Sequence, residues 1–219
     1  MTQSSFSFPL DQTYKSEDFL ALAENIEAKN LLEKFFSQKD FTKSKFPSLI
    51  LQGEEASGKT HLLNIFAKKN NAKFLDKAEI SGFDLIKLLN KNQFYIFDDA
   101  DEIVDDELLL RFVNSAAEAN AFLIISLKDL SKFRLKDLLS RLKNILVTKI
   151  KTLEQSSIKE LVINGLARRQ IRLSNAMVDF IAHNVSRNYL AIFTMLNRLE
   201  ELCHQQKGDI ALKDLKNLF

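Results

Sequence analysis

The stretch Gly53-Glu54-Glu55-Ala56-Ser57-Gly58-Lys59-Thr60 fits the spacing G-x-x-x-x-G-K-[ST], whose residue types suit the phosphates of a nucleotide. Glycines at both ends let the backbone bend until its N–H groups converge on an anion. Lys59 then reaches the β- and γ-phosphates, the Thr60 hydroxyl ligates Mg²⁺, and His61 carries the loop into a helix whose positive end favours phosphate. A second chemical group lies downstream. The apolar run Phe94-Tyr95-Ile96-Phe97 ends in Asp98-Asp99, the form of a buried parallel strand with carboxylates at its C-terminal end. Ligands of doubly wound sheets sit beyond the carboxyl ends of the strands. Asp98 is therefore expected beside the phosphate loop as an oxygen donor to Mg²⁺, and Asp99 as the group that orients or activates attacking water. The later acids, Asp101, Glu102, Asp105, Asp106 and Glu107, are expected to begin the next helix, where negative charge suits the first turn.

These groups need a strand–loop–helix frame, and the hydrophobic pattern supplies one. Phe46–Leu51 reads as the strand before the loop, and Leu62, Leu63, Ile65 and Phe66 as the apolar face of the helix after it. A helix over Glu24–Phe36 with the stripe Ile26, Ala28, Leu31, Leu32, Phe35 and Phe36 precedes them. A strand at Lys73–Leu75 follows, then a helix opened by Ser81 with Leu85, Ile86, Leu88 and Leu89 turned inward. After the Asp98 strand come a helix bearing Leu108, Leu109, Phe112 and Val113, a strand at Phe122–Ile125, an amphipathic segment at Leu130–Leu142 and a strand at Asn144–Ile150. Strands alternating with helices predict βαβ units and a parallel sheet. From Thr152 the pattern is purely helical. One helix is capped by Ser156 or Ser157 and ends near Arg169, and a second is capped by Ser174. A third covers Leu190–Leu202 with the stripe Ile192, Phe193, Leu196 and Leu199, and Asp209–Phe219 closes the chain. The predicted organisation is an arm over 1–15, an α/β nucleotide domain over 16–151 and a helical lid over 152–219.

Composition sets the class. The chain has 219 residues, 46% hydrophobic, with only 5 glycines and 2 prolines, as expected for a compact, helix-rich protein with a sizeable core. A net charge of +2 with both signs interspersed argues against a dominant polyphosphate-binding surface. The lone Cys203 cannot form an internal disulfide, which fits a reducing cytoplasm, and its neighbours make it a packed helical residue. No apolar run is long enough to cross a bilayer and the N-terminus lacks a signal-peptide pattern, so a cytoplasmic protein without a membrane partner is expected.

The order of these motifs resembles the AAA+ ATPases, and among them the DnaA group of bacterial replication initiators. The residues that carry the likeness are Phe19-Leu-Ala-Leu-Ala-Glu-Asn25, Gly58-Lys-Thr-His-Leu-Leu63, Ile96-Phe-Asp-Asp99 and Asp137-Leu-Leu-Ser-Arg141-Leu142. Initiators of this group carry a further domain that reads duplex DNA, whereas this sequence stops where the lid ends. It is thereby similar to the Hda family of short DnaA relatives. That resemblance implies an ADP-bound (or ATP-bound) regulator that docks on the sliding clamp, the DNA polymerase III beta subunit, and stimulates hydrolysis of ATP held by DnaA.

Residue by residue, the resemblance makes Arg141 an arginine finger acting in trans on the γ-phosphate charge; a surface arginine near a helix C-terminus is the plainer alternative. It makes Ser126 a polar sensor at a strand end, and places Asn25 and Ile26 where the base is cradled, with Ile26 equally readable as core. The arm Ser5-Phe6-Ser7-Phe8-Pro9-Leu10 resembles a clamp-binding peptide through Phe6, Phe8, Pro9 and Leu10, without the leading glutamine. The lid arginine of the family falls near Leu190, with Arg187 a turn earlier as the substitute; without it, the chain's own hydrolysis should be poor. Self-association stays open. Competing readings are an autonomous ATPase that loads a helicase or remodels DNA, and an adaptor that uses nucleotide only for stability.

Overall fold

The computed structural model describes residues 19–37, 48–82, 85–102, 105–206 and 210–216. The arm at 1–15, and with it Phe6, Phe8, Pro9 and Leu10, lies outside them. Five strands form one parallel sheet in the order β2-β3-β4-β1-β5: β1 (Ser48–Gln52), β2 (Lys73–Phe74), β3 (Phe94–Phe97), β4 (Phe122–Leu127) and β5 (Leu146–Lys149). The predicted α/β class with a parallel sheet is the observed one. The central strands are apolar throughout because both faces are covered. Leu49, Leu51, Phe94, Ile96 and Ile124 face α1 (Ile26–Ser37) and α2 (Lys59–Asn70) through Ala28, Leu32, Leu63 and Phe66. The alternate residues Ile50, Tyr95, Phe97, Leu123, Ile125 and Leu127 face α5 (Asp106–Glu118) through Leu109, Phe112 and Val113. Register then fixes the site: Gln52 pairs with Leu127 and Phe97 with Ile125, so the residues after β1 and β3 emerge at the same end of the sheet as Ser126 and Lys128.

After β5, the described residues contain α7 (Gln155–Arg168), α8 (Asn175–Asn184), α9 (Tyr189–Gln206) and α10 (Leu212–Lys216). They share a core of their own, built on Ile158, Val162, Leu166, Ile181, Met195, Leu196 and Leu199, into which Leu22 and Leu153 also insert. Cys203 sits half-buried on α9, and burial pushes its thiol up. No helix among the described residues is long and apolar enough to cross a membrane.

Several predicted boundaries move, each for a local reason. Ser81 does not open a helix: Asp76 caps α3 (Lys77–Ser81) in a reciprocal capping box with Glu79, and Ser81 is its last residue. The next helix, α4 (Leu85–Leu88), is a single turn: Leu85 and Leu89 are buried and Leu88 packs on the core as expected, but Ile86 is 52% exposed. Ile26 stands at the first residue of α1 and is exposed rather than core. Neither Ser156 nor Ser157 caps α7. Its N-cap is Glu154, which gives no side-chain cap, and the buried Glu24 carboxylate serves instead, accepting from Glu154 N at 2.8 Å and Ser157 Oγ at 2.9 Å. The segment 130–142 splits into a 3-10 turn at Leu130–Lys132 and α6 (Lys136–Leu142). Phe193 is 39% exposed because Gly165 admits Leu196 instead: a Cβ on Gly165 would lie 2.2 Å from Leu196 Cδ1. Arg169 covers the Phe193 ring at 5.4 Å while bonding Glu200, Asn197 and the Gly165 carbonyl. The acid cluster divides. Asp105 caps α5 and Asp106 and Glu107 open it, whereas Asp101 and Glu102 form a 3-10 turn with Ala100.

Candidate nucleotide site

The phosphate-loop sequence leaves β1 at its carboxyl end and is fastened to β4. Gly53 N donates to Leu127 O at 3.1 Å, and Gln52 Nε2 to Lys128 O at 3.2 Å. Ser57 N bonds Glu54 O to close a turn. Ala56 and Gly58 adopt left-handed backbone, with φ of 55° and 94°, a conformation glycine takes at no steric cost and alanine does not. Gly53 is needed for a different reason: a Cβ there would meet Ser57 Oγ at 2.6 Å and Ile150 Cβ at 3.3 Å. Ser57 thus packs behind the loop, its hydroxyl buried and without a hydrogen-bond partner. α2 begins at Lys59, and Gly58 provides no side-chain cap, so the positive end of a three-turn helix opens directly into the loop.

The side chains converge as the spacing predicts. Lys59 is buried, and its ammonium donates to Gly53 O at 3.1 Å and Glu54 O at 3.2 Å and lies 3.5 Å from Asp99 Oδ1. Thr60 Oγ1 donates to Asp98 Oδ2 at 2.7 Å. Ser126, fully buried, donates to Asp98 Oδ1 and accepts from Asp99 N at 2.8 Å. That second bond holds Asp99 at φ 50°, a backbone state concentrated at functional sites. Ser126 therefore positions both aspartates. The donor set fits the ligands proposed for it. Thr60 and Asp98 place two oxygens side by side, the chemistry a hard divalent ion requires, and Lys59 is a buried cation held by loop carbonyls beside a helix N-terminus. His61, half-buried, meets the Phe19 ring edge-on at 5.4 Å.

The remaining expected residues are placed as follows. Glu54 and Glu55 are exposed on the outer rim. Asn25 is buried and engaged in local structure: Oδ1 accepts from Leu22 N at 2.9 Å, and Nδ2 donates to Leu20 O at 3.0 Å and Tyr189 Oη at 2.9 Å. Ile26 follows it at the surface. Arg187 is exposed in the segment before α9, and Leu190, at the expected lid arginine, is 54% exposed. Arg141 is half-buried in the last turn of α6. Turns from Arg141 O to Asn144 N and Leu142 O to Ile145 N lead into β5, which begins opposite Leu49 near the start of β1. Arg141 thus belongs to the strand-start edge of the sheet, and the phosphate loop to the strand-end edge.

Sequence reasoning missed Tyr189. Its N–H donates to Ala56 O at 3.1 Å, its ring lies 3.8 Å from where a Gly58 Cβ would stand, and its hydroxyl accepts from Asn25. Burial pushes the phenol up to about 12, against the lowering effect of the Asn25 bond. Tyr189 joins α9, the phosphate loop and the turn before α1. The only signal in the sequence was its position beside Arg187, in the segment already expected to approach the nucleotide.

No family model and no curated protein matches this chain. Solved structures do. Domain III of the Thermotoga maritima replication initiation protein DnaA superposes with a TM-score of 0.73 at 18% identity, over 97% of this chain and 98% of that one. AMPPCP-bound DnaA from Aquifex aeolicus gives 0.69 at 16% identity, over 91% of this chain and 70% of that one. The Thermotoga maritima RuvB Holliday junction branch migration motor gives 0.63 at 14%, over 87% and 67%. The five-stranded parallel sheet with its flanking helices is thus the fold shared with these DnaA and RuvB structures.

Proposed function

We propose that this chain is a nucleotide-binding AAA+ regulator of chromosome replication initiation that, together with the sliding clamp, stimulates hydrolysis of DnaA-bound ATP in the cytoplasm. The observation that carries the reading is the separation of two elements on one sheet: Lys59, Thr60 and Asp98 meet beyond the strand ends, and Arg141 lies toward the opposite edge. An arginine so placed is remote from its own phosphate loop and suited to a neighbouring molecule's. Gly53 to His61 would cradle ADP or ATP, with loop amides and Lys59 on the phosphates and Thr60 and Asp98 on Mg²⁺, which would neutralise phosphate charge. Asn25, Ile26 and Tyr189 would border the nucleoside. Asp99 would face water, with Ser126 setting its orientation. An exposed leucine at the lid-arginine position supports weak hydrolysis by the chain itself and ADP as the resident ligand. Phe6, Phe8, Pro9 and Leu10 would supply the clamp contact as an extended peptide. The likeness to DnaA structures supports the replication context, and the arginine supplies the activity: such fingers accelerate phosphoryl transfer by about a thousand- to a hundred-thousand-fold.

The test is turnover of ATP-loaded DnaA from the same source with DNA-loaded clamp and this protein charged with ADP. Stimulation is expected from the unaltered chain and none from Arg141→Ala. Equal stimulation by both, or by neither while nucleotide binding is intact, refutes the role.

A further inference from the structure

The sheet ends on two unlike edges. β2 is two residues long, and its Lys73 is bonded to Glu79 at 3.0 Å. β5 runs four residues, and among the described residues no strand pairs with its outer side. We propose that the outer edge of β5 is a docking site for an extended acidic segment of a partner protein, which adds to the sheet as a further strand. The proposal does not depend on the nucleotide reading above.

Three observations carry it. The first is the direction of the backbone. Ile150 N donates to Gln52 O at 2.8 Å, so Ile150 faces β1. Alternate residues of a strand turn their N–H and C=O to the same side. Thr148 therefore also faces β1, and Val147 and Lys149 turn both groups outward. Such a row is a template for a further strand, and main-chain bonds of this kind supply the affinity in strand addition. The second is what flanks the row. Leu146, opposite Leu49, lies on the α1 side of the sheet, and Val147, opposite Ile50, on the α5 side. They are 38% and 36% exposed, so an added strand finds an apolar side chain on each face. The third is charge. From Lys143 to Lys151 the only charged residues are Lys143, Lys149 and Lys151, and all of them are exposed. Two copies joined edge to edge would bring these lysines together, whereas carboxylates on an incoming segment would meet them. Charge thus selects the partner, and the backbone holds it.

The experiment titrates the full chain with fluorescein-labelled, capped decapeptides that alternate valine with glutamate or valine with lysine, read by anisotropy at low salt. The glutamate peptide is expected to bind and to slow hydrogen exchange at the Val147 and Lys149 amides in NMR spectra, with affinity falling as salt is added. Reversing two exposed charges together, Lys149→Glu with Lys151→Glu, is expected to weaken binding about tenfold at an unchanged unfolding midpoint. No binding of the glutamate peptide, equal affinity for both peptides, or binding that leaves the two amides unprotected overturns the proposal. So does protection already present without peptide: if it grows with protein concentration the edge belongs to a second copy, and if it is lost on removal of residues 1–15 it belongs to the chain's own arm.

Discussion

Removing one hydroxyl tests how far the two aspartates depend on their support. Ser126 is fully buried and its Oγ makes two bonds, donating to the Asp98 carboxylate and accepting the Asp99 N–H. Ser126→Ala deletes both and opens almost no cavity. A hydrogen bond to a charged group contributes about 1.5–3 kcal/mol, and a donor left without a partner costs about 1–3 kcal/mol. Asp98 keeps Thr60, and Asp99 can relax from its left-handed backbone, so the two losses do not add in full. About 3 kcal/mol of destabilisation is expected, which for a chain of this size lowers Tm by roughly 6–12 °C. Urea unfolding with an unchanged slope gives the value. A double-mutant cycle with Asp98→Ala assigns it, with a coupling of about 1–2 kcal/mol expected between groups in direct contact. A loss below about 0.5 kcal/mol, or strict additivity in the cycle, would mean that Ser126 does not hold the aspartates.

Three further outcomes follow from the packing. The Tyr189 phenol is pushed from 10.0 to about 12 by burial, so its contribution is fully present below pH 10 and lost as pH rises through 12; urea midpoints at about pH 9 and about pH 11.5 should fall less steeply in Tyr189→Phe than in the unaltered chain. Glu24→Ala strips α7 of the acceptor for Glu154 N and Ser157 Oγ; about 2–3 kcal/mol should be lost, with faster limited proteolysis between β5 and α7. Gly165→Val drives a side chain into Leu196, an overpacking cost of about 1–3 kcal/mol, and Leu196→Ala in the same chain should relieve part of it in thermal unfolding.

What the sequence disclosed was mostly local. The phosphate loop is contiguous, so its glycines, Lys59 and Thr60 could be read directly, and Asp98 followed because an apolar strand ending in a carboxylate needs no distant partner to be recognised. The apolar runs named the central strands because both sheet faces are covered. What stayed hidden depends on pairs that only the fold creates. Glu24 caps α7 across 130 residues, and Tyr189 meets Asn25 across 164, so no window of sequence contains either pair. Phe193 was misassigned because helical periodicity cannot register that a glycine on a facing helix changes which side chain enters the interface.

β1 lies between β4 and β5, and both of its partners follow it in the chain. On a ribosome, Leu49-Ile50-Leu51 emerges long before either neighbour exists, and the strand that launches the phosphate loop cannot be flanked on both sides until residue 149 has been synthesised. The loop that gathers Lys59, Thr60 and Asp98 is therefore completed late in translation, and a chain halted within α6 would present an unpaired apolar strand edge, the kind of surface that recruits chaperones or aggregates.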